Sequence, residues 1–123
     1  MAKRILIVEN DSLIYDMMHM RLTKFGWTVT VAEDGKQGLE AYSPDKFDVV
    51  STDLDMPVMD GMDFTKELLA KYPGTIVFMC SGGNDDMAEE FRKAGGHAFY
   101  PKENLPDYLR MLNDLAELGR FKK

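Results

Sequence analysis

Hydrophobic positions along the chain follow two alternating patterns. Short runs rich in β-branched residues predict strands near Arg4 to Glu9, Thr28 to Ala32, Phe47 to Asp53, Thr75 to Cys80 and His97 to Pro101. The first, third and fourth runs are nearly all apolar, which predicts strands buried on both faces. Between the runs, apolar residues recur at helical spacing. Leu13, Ile14, Met17, Met18, Leu22 and Phe25 give a first helix one apolar stripe, with Asp11 or Ser12 as cap and Gly26 as its end. A short second helix runs from Gly35 to Tyr42 and is stopped by Ser43-Pro44. A third follows Gly61, turns Phe64, Leu68 and Leu69 inward, and ends before Pro73-Gly74. Asn84 or Asp85 caps a fourth, whose Met87, Phe91 and Ala94 share a face and whose exit is Gly95-Gly96 in a left-handed conformation. The fifth begins at Asn104 with Pro106 in its first turn, and Leu105, Tyr108, Leu109, Leu112, Leu115 and Ala116 form the strongest stripe of all.

Five strand-helix units in strict succession are the signature of an α/β fold around a parallel sheet. At 123 residues, without a linker, long insertion or low-complexity tract, the chain reads as a single domain spanning 1–123. Hydrophobic residues at 45% and charged residues at 29% exclude disordered and membrane classes. The net charge of -6 argues against a nucleic-acid surface, since phosphate neutralisation needs clustered Lys and Arg. The basic tail Arg120, Lys122, Lys123 reads as a solvated helix end. A lone Cys80 excludes an internal disulfide framework and a multi-cysteine zinc site, as expected of a cytoplasmic protein. The apolar run Ile5 to Val8 is too short for a signal peptide.

In an open parallel sheet, functional residues gather beyond the carboxyl ends of the strands. There the chain carries Glu9-Asn10-Asp11, Asp53-Leu54-Asp55-Met56-Pro57, Ser81-Gly82-Gly83 and Lys102. Singly these are a helix cap, a turn opener, a loop residue and a solvated lysine. Capping explains neither an Asp that ends an apolar strand nor a Lys that follows Tyr100-Pro101.

The ordered set resembles the response-regulator receiver family: Ile5-Leu6-Ile7-Val8-Glu9, then Asp53-Leu54-Asp55-Met56-Pro57 with Asp60-Gly61, Ser81-Gly82, and Lys102. The resemblance covers essentially the whole chain and implies a flavodoxin-like doubly wound five-stranded sheet, ordered 2-1-3-4-5, with five helices. By position it implies that Asp53 is the phosphoacceptor, Glu9 and Asn10 the acidic pair, Ser81 the switch hydroxyl, Lys102 the conserved-type lysine and Phe99 the switch aromatic. Mg²⁺ would be held by Glu9, Asn10, Asp53 and the backbone carbonyl of Asp55. A sensor histidine kinase or phosphotransfer protein would be the phosphohistidine donor and a separate protein the downstream target. No output domain, direct nucleic-acid partner or membrane association is implied. The chain would catalyse its own phosphorylation and dephosphorylation without being a conventional turnover enzyme.

The residue chemistry agrees with that expectation. A carboxylate of Asp53 attacking a phosphoryl group forms an acyl phosphate through a loose transition state whose charge lies on the equatorial oxygens. Two carboxylates about 4 Å apart repel by roughly 4 kcal/mol at an effective dielectric near 20, so Glu9 and Asp53 facing one cavity favour a cation. Oxygen ligands suit Mg²⁺. Lys102 and the Ser81 hydroxyl would bind phosphoryl oxygens, and Ser81 moving inward would let Phe99 rotate and repack the fourth helix, fifth strand and fifth helix. A static core role for Phe99 is equally compatible with the sequence.

Several positions depart from the family. Asn10 stands where an Asp usually ligates metal, which predicts weaker Mg²⁺ binding, with Asp11 expected to point toward the first helix. Ser81 replaces the commoner Thr, and Glu103 replaces the Pro that usually follows the lysine, so the usual cis peptide is not expected. Gly82-Gly83 predicts a mobile loop. Asp55 is placed to tune water or donor access. Asn10 motivates one rival, a pseudo-receiver that binds partners without phosphorylation. A second, an Asp-x-Asp-x phosphatase, rests on Asp53-Leu54-Asp55-Met56. Flavin binding is disfavoured because Glu9-Asn10-Asp11 would repel an FMN phosphate. His19, His97 and the methionine groups read as structural.

Overall fold

The computed structural model describes residues 2–82 and 86–121. Five strands, β1 (Arg4–Val8), β2 (Thr28–Ala32), β3 (Val49–Thr52), β4 (Val77–Ser81) and β5 (Ala98–Pro101), alternate with helices α1 (Ser12–Lys24), α2 (Gly35–Ala41), α3 (Gly61–Lys71), α4 (Asp86–Lys93) and α5 (Leu105–Glu117). All strand pairs are parallel, in the order β2-β1-β3-β4-β5. This is the doubly wound arrangement expected from the sequence.

Alternation along the strands divides the core. Ile5, Ile7, Val49, Phe78 and Cys80 face the layer of α1 and α5, where they meet Met18, Leu22, Tyr108, Leu109 and Leu112. Leu6, Val8, Val50, Val77 and Met79 face the other side, against Phe64, Leu68 and Phe91 of α3 and α4. The interior strands β3 and β4 are buried at every position, Ser51, Thr52 and Ser81 included, as strands covered by helices on both faces are. Two buried polar pairs fix the first layer: Trp27 Nε1 donates to Asn113 Oδ1 at 3.1 Å, and the Ser51 and Tyr108 hydroxyls lie 2.6 Å apart.

Element edges differ from the sequence expectation for local reasons. β1 ends at Val8 and β3 at Thr52, leaving Glu9 and Asp53 just past their strands. β3 also starts two residues later than predicted. Phe47 is instead stacked on Tyr42, and the Asp48 carboxylate is held by the Arg4 guanidinium and backbone N–H. Thr75 lies in a turn closed by its bond to the Tyr72 carbonyl, so β4 begins at Val77. A 3₁₀ turn over Lys102–Asn104 precedes α5, and Asn104 makes no side-chain capping bond. Leu13 and Phe25 fall outside the α1 stripe, at 81% and 41% exposure, and Leu69 is only partly buried. The left-handed exit from α4 is carried by Gly95 alone, at φ +102°. The predicted α4 caps Asn84 and Asp85, and Gly83, lie outside the described residues.

Candidate functional site

The short overhangs of β1, β3 and β5 bring three charged side chains to one point at the carboxyl edge of the sheet. Glu9 and Asp53 are 3% and 5% exposed, and between them lies the Lys102 ammonium. Its Nζ is 2.8 Å from Glu9 Oε1 and 3.2 Å from Asp53 Oδ2. The second Glu9 oxygen accepts the Asp11 backbone N–H at 3.1 Å. Asp11 itself turns toward α1, capping it through Leu13 N at 3.0 Å. Below the triad is a cavity of about 10 Å³, roughly one water's worth of space, whose lining includes Ile14, Met18, Ser51, Cys80 and Leu105.

Burial dominates the electrostatics. It raises the Glu9 carboxyl above its ordinary value, with the charge of Asp53 adding to the shift, while the bonds from Lys102 and Asp11 only partly oppose it. For Lys102, burial works against the ammonium. The hydrogen bond to Glu9 and the two nearby negative charges outweigh it, and the lysine is raised. The Cys80 thiol, on the same side of the sheet, is pushed up to about 12 by burial.

The loop after β3 is held tightly. Asp53 N donates to Val8 O at 2.9 Å, and its carbonyl accepts the Thr52 hydroxyl at 2.8 Å. Gly61 packs so closely that a Cβ there would collide with the Asp53 carbonyl oxygen. Asp60 caps α3 through Asp63 N at 2.8 Å. Between Asp53 and Asp60, Val58, 78% exposed, takes φ +69° inside a tight turn closed by Met59 N to Pro57 O at 2.7 Å, a strained geometry for a β-branched residue.

The remaining predicted residues are dispersed around this triad. Asn10 and Asp55 are exposed, Ser81 is buried as the last residue of β4, and Phe99 is half-buried against the core of the α3 and α4 layer. No peptide bond among the described residues is cis, including that after Lys102. Glu9 and Asp53 supply buried hard-oxygen donors, and the Asn10 side chain and Asp55 carbonyl belong to the two loops beside them. This donor chemistry fits Mg²⁺. Among the described residues no three His, Cys, Asp or Glu side chains converge as a ready-made metal cluster. Sequence reasoning placed Lys102 near the carboxylates but missed its direct bond to Glu9, and it missed Thr52 altogether; alternation along β3 hides a side chain that bonds its own neighbouring peptide.

Comparison with known proteins gives this edge a context. The family model of the response regulator receiver domain matches residues 5–112. The chain belongs to that family. It is 35% identical to the chemotaxis protein CheY of Thermotoga maritima over 108 residues, covering 86% of this chain and 90% of that one. It is 36% identical to CheY of Bacillus subtilis over 104 residues, covering 83% and 87%. A CheY-like receiver domain from Methanospirillum hungatei superposes with TM-score 0.81 at 25% identity, covering 97% of this chain and 99% of that chain. The chain is thus a CheY-like receiver domain, of the kind used in two-component signalling, and receiver domains generally bind Mg²⁺. No helix among the described residues is long and apolar enough to cross a membrane.

Proposed function

We propose that this receiver is a phosphorylation-dependent switch of a two-component phosphorelay, taking a phosphoryl group onto Asp53 from a phosphohistidine donor with Mg²⁺. The observation that carries the reading is the buried Asp53 carboxylate at a strand end, 3.2 Å from the Lys102 ammonium. An Asp53 oxygen attacks phosphorus as the bond from phosphorus to the donor imidazole breaks, leaving an acyl phosphate on the chain and the imidazole on the donor. Lys102, already charged and already between the carboxylates, pairs with an oxygen of the arriving group as a point charge. Glu9 keeps Lys102 positioned through its bond at 2.8 Å. A Mg²⁺ ion held by Glu9, Asn10, Asp53 and the Asp55 carbonyl would supply charge neutralisation to the phosphoryl oxygens.

Ser81 is the hydroxyl assigned to the phosphoryl group after transfer, and Phe99 the aromatic that answers its movement. Phe99 has the partial burial that a rotating side chain needs. Asn10 weakens the cation site, because it brings a carbonyl without charge and because Lys102 already neutralises part of the remaining pair. The donor is a sensor histidine kinase or phosphotransfer protein and the output a separate protein, both met in the cytoplasm without nucleic acid or membrane. A similarly folded CheY from Borrelia burgdorferi, TM-score 0.80 at 18% identity, has been crystallised with CheX, BeF3 and Mg²⁺, so the fold admits a cation and a protein partner together. The test is intact mass after incubation with acetyl phosphate and Mg²⁺. Wild type gains one phosphoryl group and Asp53→Asn does not; an unmodified wild type indicates a pseudo-receiver that binds its partner without phosphorylation.

A further inference from the structure

Asp53 sits one residue beyond the ladder that pairs β3 with β4, whose last matched residues are Thr52 and Met79. Its N–H is still tied to β1 through Val8 O. Its carbonyl lies beyond the last matched pair of β1 and β3, Val8 and Thr52, and it is enclosed: the Gly61 backbone closes one side so tightly that no Cβ fits. The group that satisfies this carbonyl is the Thr52 hydroxyl, at 2.8 Å, on a side chain 1% exposed. A buried carbonyl without a partner is rare and costly, so its bond constrains the peptide that carries it. That peptide, Asp53 to Leu54, sets where the Asp53 side chain leaves the backbone and where the Asp55 carbonyl follows.

We propose that Thr52 is a positioning residue for the acceptor, its hydroxyl fixing the Asp53 peptide so that the carboxylate stays aligned for in-line attack. The inference rests on the reading of Asp53 as phosphoacceptor. It differs from a packing role because the hydroxyl, and not the volume, is what the site uses. Without it, the carbonyl gains a partner only by rotating the Asp53 peptide, and rotation at that bond moves the carboxylate relative to Lys102. Small displacements of a reacting group have large effects on rate. The Ser81 hydroxyl and the triad itself are left intact by such a change, so the loss is one of orientation rather than of chemistry.

The experiment compares wild type with Thr52→Val and Thr52→Ser, recording initial rates of acyl-phosphate formation across acetyl phosphate concentrations at fixed Mg²⁺. Melting temperature and far-UV circular dichroism are followed in parallel. Thr52→Val keeps the volume and loses the hydroxyl. It is expected to lower the maximal rate on the order of tenfold while the half-saturating concentration changes less than about twofold, as befits misorientation of a bound reactant. Thr52→Ser, which keeps the hydroxyl and loses a methyl, is expected to recover most of the rate. If Thr52→Val does not fold, Thr52→Ala against Thr52→Ser isolates the hydroxyl in the same way. Rates within about twofold of wild type for the folded variants lacking the hydroxyl, or an equal loss in Thr52→Ser, overturn the inference. An unlabelled wild type overturns the acceptor reading and this inference with it, and is distinguished by the wild-type arm alone.

Discussion

Replacing Lys102 with Met removes the ammonium that pairs with two buried carboxylates, and the structure sets the scale of the effect. At 2.8 Å and 3.2 Å, and an effective dielectric near 20, the ammonium attracts Glu9 and Asp53 by about 6 and about 5 kcal/mol before desolvation is counted. The lysine side chain is 24% exposed, so its own desolvation and residual screening cancel much of this. What persists after substitution is a like-charged pair with almost no water. Lys102→Met should therefore lower unfolding free energy by about 2–3 kcal/mol at pH 7, read from urea denaturation without divalent cation. The deficit should depend on pH in both directions. A lysine raised in the folded state contributes fully below its unfolded value of about 10.4, and the contribution fades as pH rises through the folded value. On the acid side the Glu9 carboxyl is already raised by burial. Removing Lys102 raises it further, so the variant regains stability as pH falls through that value toward the unfolded range near 4.3. Mg²⁺ should restore part of the loss at pH 7 by occupying the same gap. A deficit below about 0.5 kcal/mol, or one that is flat from pH 4 to pH 8, would refute the electrostatic account of the site.

Other consequences are independent of that one. Cys80 is 4% exposed with its thiol pushed up to about 12, so it should resist a thiol-disulfide reagent in the native protein at pH 8 and react fully in urea; native labelling at the rate of a free thiol would contradict this. Gly61→Ala must move either α3 or the Asp53 peptide, and should cost about 2–3 kcal/mol in urea denaturation; a neutral result would mean that the loop relaxes freely. Asn10→Asp restores a third carboxylate and should tighten Mg²⁺ binding on the order of tenfold by calorimetry, an unchanged affinity placing this side chain outside the cation site.

The sheet was legible because each pattern is redundant. Buried strands such as Ile5 to Val8 and Val77 to Cys80 are apolar without interruption, and the α5 stripe of Leu105, Tyr108, Leu109, Leu112 and Ala116 is buried throughout. Strand ends were less legible, because ladder termination depends on partners distant in sequence. Arg4 holds Asp48 and keeps β3 from starting at Phe47, and the Tyr72 carbonyl holds Thr75 in a turn ahead of β4. Leu13 matches the spacing of α1 and is nevertheless exposed, since it lies in the first turn, ahead of the helix's buried residues. At the site, residue identity and order pointed to Glu9, Asp53 and Lys102, and the structure brings these three together. The direct bond from Lys102 to Glu9 and the role of the Thr52 hydroxyl depend on side-chain direction at a strand end, where simple alternation ceases to be a guide.

The most direct test of the central reading is to locate the phosphoryl group. After incubation with acetyl phosphate and Mg²⁺, borohydride reduction converts an acyl phosphate on aspartate to homoserine, and peptide mapping by mass spectrometry reads the position. Homoserine at position 53 and nowhere else is the predicted result. Homoserine at Asp55 or Asp11 with Asp53 intact, or no reduced residue at all, would contradict it.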